Sequence, residues 1–304
     1  MRSLVTGGAG FIGSHLVEAL VHRGESVFVI DDLSNSSMMN LASVASKIQF
    51  RKHDVSSGLP ELPSISHIYH LACHPRQISL ANPVRDCQVN LIGTINILEF
   101  AKRTRAKVLF TSNTGIVSNP PRLPVDESFP PNPLTPYDAH KLASEHMLRV
   151  YHHVYGTPTV TVRFASIYGP RQRVNETLGW RPVIPEFASK LLRGDAPMID
   201  GDGEQTRDFL YVKDAVDGVI RAMASDSDNG DVFILGSNTE TSILHLYELI
   251  SDLLGVKMKP KHGPRKKEEI MCMRYDYSKA TRTFGWVPKA SLREGLELTV
   301  SSLR

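Results

Sequence analysis

The sequence predicts an α/β fold: a doubly wound parallel sheet joined to a smaller α/β cap. Three observations predict it. Strand-like apolar runs alternate with helix-period segments through the first two thirds of the chain, the pattern of a parallel sheet covered on both faces. A glycine-rich turn at residues 7–13 falls between the first strand and the first helix. After about residue 166 the texture changes to a loop rich in Gly, Pro and Arg at 169–181, followed by short helical and extended pieces. The expected division is therefore 1–165 for the sheet domain and 166–304 mainly for the cap, with some returns to the first domain.

In order, residues 2–6 read as a strand, 11–23 as a helix, and 27–30 as a second strand ending at Asp31. Further strands fit 48–52, 65–72, 107–110 and 159–163, and long helices fit 83–103 and 136–155. An amphipathic segment at 292–302 closes the chain.

With 304 residues and 41% apolar side chains, the chain can bury a full-sized core. Its apolar runs fall short of the roughly 18–20 residues needed to cross a bilayer. Arg2 leads into a strand and a glycine turn rather than a signal peptide, so a cytoplasmic protein is expected. The three cysteines, Cys73, Cys87 and Cys272, lack metal-like spacing, and an odd count argues against a disulfide framework; no metal is expected. Net charge is +3, and the one basic run, 259–267, is followed at once by Glu268 and Glu269. It reads as a solvated loop, and neither nucleic acid nor membrane is indicated as a partner.

The turn Thr6-Gly7-Gly8-Ala9-Gly10-Phe11-Ile12-Gly13 carries the first chemical signal. Glycines at 7, 10 and 13 let the backbone turn sharply and approach a pyrophosphate held on amides at the positive end of the helix, Phe11 and Ile12 included. Asp31, 18 residues beyond Gly13, can accept from both adenosine ribose hydroxyls and would repel a 2′-phosphate. NAD is therefore favoured over NADP. The plainer alternative is a ligand-free glycine turn with Asp31 as a helix cap. Asp54 and Val55, after the third strand, fall against the adenine or in an ordinary turn. Leu71, Ala72 and Cys73 end the fourth strand, where an open α/β sheet places its ligand.

Tyr137 and Lys141 are spaced to lie one helical turn apart on one face. A nearby ammonium, with the positive nicotinamide ring, would favour the phenolate of a tyrosine whose free pKa is near 10. Tyr137 would then take a proton from a sugar hydroxyl, and Lys141 would hold the nicotinamide ribose. Alone, such a pair is more often two surface residues; after a cofactor fingerprint the chemical role is the stronger one.

These segments, with His70-Leu71-Ala72, Val89-Asn90-Leu91-Ile92-Gly93-Thr94, Tyr168-Gly169-Pro170-Arg171-Gln172, Val183-Ile184-Pro185, the run 201–209 and Ser278-Lys279-Ala280, resemble the extended short-chain dehydrogenase/reductases (SDR), specifically the NAD-dependent epimerase/dehydratase family. The resemblance implies a Rossmann domain of extended SDR type, a nucleotide-sugar cap, a UDP-sugar substrate, and a homodimer formed through the two long helices. It also implies substrate contacts at Arg207 on the diphosphate, Val183 beside the base, and Ser166, Arg173 and Arg274. A planar, always-charged guanidinium suits phosphate oxygens.

Departures from the family pattern bear on the reaction. The usual Ser or Thr partner of the tyrosine is replaced by Asn113, which can donate to a substrate oxygen but cannot relay a proton. Thr114 would substitute if the backbone shifted by one residue, and Ser112 less readily, pointing the other way along a strand. Thr114 and Gly115 stand where 4,6-dehydratases carry Asp-Glu and UDP-glucuronate decarboxylases carry Glu, which disfavours both reactions. Ser166 replaces a longer Asn, and Cys272 stands where an arginine is common, with Arg274 two residues on. Cys73-His74-Pro75-Arg76 lines the expected pocket mouth, either as acid–base groups or as a packed cysteine and a solvated histidine. The expected function is redox-neutral chemistry through transient C4 oxidation, ending in 4-epimerisation or 5,6-dehydration. The alternatives are an NAD(P)H-dependent nucleotide-sugar reductase and a non-catalytic NAD-binding scaffold.

Overall fold

The computed structural model describes residues 1–265 and 269–303. Lys266, Lys267 and Glu268 of the basic run expected to be a solvated loop lie outside the described residues, as does Arg304. Seven parallel strands form the main sheet: β1 (Arg2–Thr6), β2 (Ser26–Asp31), β3 (Ile48–Lys52), β4 (His67–His70), β5 (Lys107–Asn113), β6 (Thr159–Phe164) and β7 (Asn229–Leu235). Their order is β7-β6-β5-β4-β1-β2-β3. The winding direction reverses between β1 and β4, so their carboxyl ends open a crevice, the expected ligand position in such sheets. Leu4, Val5, Ile68, Val108, Leu109 and Val160 are fully buried. Burying each such side chain contributes about 1.5–3 kcal/mol. After residue 166 the chain returns to the sheet at the helix Val212–Ala224, which packs on β5 and β6, and at β7, which pairs with β6.

Three helices position the site. α1 (Phe11–His22) follows the glycine turn, and its N-cap, Gly10, supplies no side-chain cap. α2 corresponds to the helix expected at 83–103 but is not one regular helix: Pro83–Cys87 and Gly93–Thr104 flank a π-helical turn, Gln88–Ile92. The cause is local. The Asn90 carbonyl accepts the hydroxyls of Thr94 and Ser144, both at 2.7 Å, which competes with the regular ladder. α3 (Pro136–Tyr155) starts with Thr135 capping Asp138 N–H and Pro136 in the first turn, and ends at Gly156 in the left-handed region.

A second apolar core, with Tyr168, Ile184, Phe187, Tyr211, Leu246 and Leu296, packs the segments after residue 166. Among the described residues no helix is long and apolar enough to cross a membrane.

Candidate active site

The carboxyl ends of the central strands open into a cleft of about 1030 Å³. Gly7, Gly10, Phe11, Ile12, Gly13, Asp31, Asp54, Val55, Leu71 and Ala72 all line it. The glycine loop fits a dinucleotide on steric grounds. A Cβ at Gly7 would lie 2.7 Å from Ala72 N, and one at Gly13 would lie 2.1 Å from the Gly7 carbonyl oxygen. No side chain can stand between the loop and its neighbours, which leaves the uncapped amides of α1 facing the cleft. Asp31, 6% exposed, has a structural task as well: it accepts from Ala9 N–H, Leu33 N–H and the Ser36 hydroxyl. Burial pushes its carboxyl above the usual range against those hydrogen bonds. Asp54 accepts from Ser56 N–H and from Arg85 Nη2 at 2.6 Å.

Tyr137 and Lys141 line the far end of the same cleft, with Cys73, His74, Arg76, Thr111, Ser112 and Ser166. Lys141 is 1% exposed and donates to the Thr111 carbonyl at 2.9 Å, its Nζ lying 5.7 Å from the Tyr137 ring centroid. The Tyr137 phenol is held well above its ordinary pKa, first by burial and then by the negative potential of Asp138 and Asp86. In the protein without NAD it is a neutral hydroxyl, and burial lowers the pKa of the neighbouring Lys141. Cys73 is exposed as a residue, but desolvation of its sulfur, which faces Tyr137, pushes the thiol up, so it is a neutral thiol rather than a thiolate.

Five expected site residues stand apart from the cleft lining, each for a visible reason. The Thr114 hydroxyl donates to the Phe164 carbonyl at 3.0 Å and is 5% exposed. The Asn113 side chain turns toward Gly115, where an added Cβ would meet its Oδ1 at 2.7 Å; its Nδ2 is buried without a partner. Ser112, expected to point away, lines the cleft, and its buried hydroxyl has no partner. Arg207 donates to the carbonyls of Thr206 and Ile270, both at 2.7 Å, and pairs with Glu269. Val183 begins the helix Val183–Leu192, which packs on the second core. Arg274 has its Nε buried without a partner. Arg173 does line the cleft.

Sequence reasoning missed two features. Residues 173–181 cross the cleft as a strap: Asn175 and Trp180 exchange backbone hydrogen bonds, Asn175 Nδ2 donates to Asn35, and Arg181 N–H donates to Gln77. The available signal was Gly179, which takes φ +67° in the turn before Trp180. Behind the Cys73–His74 wall, Asp86 on α2 joins His74 and His140; nothing in the linear spacing of these three indicates the contact.

A parallel sheet with a glycine-lined dinucleotide cleft ending at a Tyr–Lys pair defines the short-chain dehydrogenase/reductase class of fold and site. The sequence profile of the NAD dependent epimerase/dehydratase family matches residues 3–236, and the chain belongs to that family. It is 36% identical to the UDP-glucose 4-epimerase of Mycolicibacterium smegmatis, covering 100% of this chain and 99% of that one. It is also 36% identical to UDP-glucuronic acid decarboxylase 3 of Arabidopsis thaliana, covering 100% of this chain and 89% of that protein. The crystal structure of the Thermotoga maritima UDP-glucose 4-epimerase with UDP-glucose superposes with a TM-score of 0.93 at 34% identity, covering 99% and 98% of the two chains. The protein is thus an NAD-dependent enzyme of the nucleotide-sugar epimerase/dehydratase type.

Proposed function

We propose that the protein transiently oxidises C4 of a UDP-linked hexose or N-acetylhexosamine, eliminates water across C5 and C6, and restores the alcohol. The observation that carries this is the pairing of Tyr137 and Lys141 with a titratable wall, Cys73 and His74, in one cleft. NAD, when bound on the glycine loop, supplies a hydride acceptor and a positive charge beside Tyr137. Tyr137 holds the proton exchanged with the C4 hydroxyl, and Lys141 fixes the ribose next to it. A C4 ketone makes H5 acidic, and a basic group on the facing wall then turns oxidation into elimination. An epimerase needs no such group, because it only presents the other face of the ketone. Direct 4-epimerisation is the second possibility, favoured by the close similarity to 4-epimerases.

Arg173 and Ser166 are assigned to the substrate, and Arg207 to its diphosphate once Glu269 is displaced. Exposed apolar residues on the two long helices, Val84 and Ile92 on α2 and Val150, Val154 and Tyr155 on α3, suit a homodimer through those helices. Incubation with UDP-N-acetylglucosamine and UDP-glucose, followed by mass spectrometry, separates the two reactions. Elimination makes the product lighter by one water, and epimerisation leaves the mass unchanged.

A further inference from the structure

The wall facing Tyr137 is built more elaborately than a packed cysteine and a solvated histidine would need. Asp86 has no exposed surface, so its carboxyl group depends on partners within the protein. Its Oδ2 lies 2.6 Å from His140 Nδ1, while its Oδ1 accepts from Asn90 Nδ2 at 2.8 Å and lies 3.4 Å from His74 Nδ1. Asn90 also brackets the backbone of His74: its Oδ1 accepts His74 N–H at 3.0 Å, and its Nδ2 donates to the His74 carbonyl at 3.1 Å. Both Asp86 and Asn90 take their positions from α2, Asn90 within the π turn itself. A buried polar group is costly unless it is hydrogen-bonded, and two imidazoles and an amide are the partners here. Among the described residues no group of His, Cys, Asp or Glu is arranged to hold a metal. His74 lines the cleft, and with Nδ1–H directed to Asp86 its Nε2 is left as a lone-pair base.

From this geometry we infer that His74, oriented by Asp86 and Asn90, is the acid–base group of the elimination. The assignment rests on the dehydratase function proposed above. On a sugar already carrying the C4 ketone, His74 Nε2 takes the C5 proton, and the C–H electron pair moves into the enolate. As that pair forms the C5–C6 double bond, the C6–O bond breaks, and the departing hydroxide takes the proton back from His74 as water. No net proton or electron is consumed. Asp86 is a positioning residue that keeps Nδ1 protonated and stabilises the transient imidazolium, and His140 keeps Asp86 partnered when His74 turns to substrate. The other charged or titratable groups of this wall are Cys73, Arg76 with Asp138, Tyr137 and Lys141.

The test uses the whole enzyme with its cofactor and UDP-N-acetylglucosamine. His74→Asn is expected still to reduce the bound cofactor on mixing, read by nicotinamide absorbance, while water loss falls about 10²–10⁴-fold. Asp86→Asn is expected to lower the rate of water loss while cofactor reduction continues, and Asp86→Glu to recover part of that rate. In the ligand-free protein, ring NMR signals of His74 and His140 should both shift in Asp86→Asn. Water loss at the wild-type rate in His74→Asn overturns the assignment, and so does equal loss of cofactor reduction and dehydration, which marks a merely structural role. A wild-type product of unchanged mass overturns the dehydratase function itself, and the role of His74 with it.

Discussion

The two halves of the cleft are built by different means. The cofactor half is made of backbone: glycines 7, 10 and 13, the uncapped start of α1, and the ends of β1 and β4. The side chains expected to meet the sugar nucleotide are less settled: in the ligand-free chain two of them stand outside the cleft lining, Arg207 paired with Glu269 and Thr114 bonded to the Phe164 carbonyl. Backbone sites are complete as soon as the fold forms. Side-chain sites have to exchange one set of partners for another, so their positions before binding need not match their positions after it.

Replacement of Tyr137 by Phe should have the largest effect, because it removes a proton that no neighbour replaces. Turnover is expected to fall by about 10²–10⁴-fold while NAD still co-purifies; cofactor content and product formation measured on one preparation check both halves at once. Gly13→Ala attacks the backbone half. The new Cβ meets the Gly7 carbonyl and Gly8 Cα, neither of which can swing aside. The expected outcome is loss of bound NAD with a stability loss of about 1–3 kcal/mol, seen by spectroscopy and thermal melting.

For the side-chain half, Arg207→Ala should raise KM for a UDP-sugar about 10–100-fold, the scale of a lost charge-assisted contact, with cofactor content unchanged. Equal KM values in Arg207→Ala and wild type would remove Arg207 from the substrate site.

The smallest effect lies beneath the cofactor half. His70 is fully buried between Thr6 and Thr94, and burial lowers its pKa to about 3. Above pH 6.5 it is neutral in both folded and unfolded chains. Between pH 6.5 and 3 only the unfolded chain binds the proton, so stability falls with pH by about 1.4 kcal/mol per unit from this group. Denaturant midpoints of the wild type across pH 7 to 5 measure it, and His70→Asn should flatten the slope.

The same contrast explains what could be read in the sequence. Strand and helix alternation, the glycine spacing, Asp31 and the Tyr137/Lys141 interval are local patterns fixed by helical and extended geometry, and each lies where the pattern places it. The π turn at 88–92 was invisible because it depends on Ser144, 54 residues away from Asn90. Alternation along Lys107–Asn113 puts Ser112 and Asn113 on opposite sides, with Ser112 toward the cleft, and it stops at the turn Thr114–Ile116. The Asp86 cluster joins three segments distant in sequence, and no single segment carries a sign of it.

Internal return of the hydride can be followed with UDP-N-acetylglucosamine carrying deuterium at C4, incubated with enzyme and no added cofactor. The expected product is one water lighter and retains the deuterium on C4. Label that washes out or leaves with released cofactor would contradict transient oxidation at C4 by the Tyr137–Lys141 site.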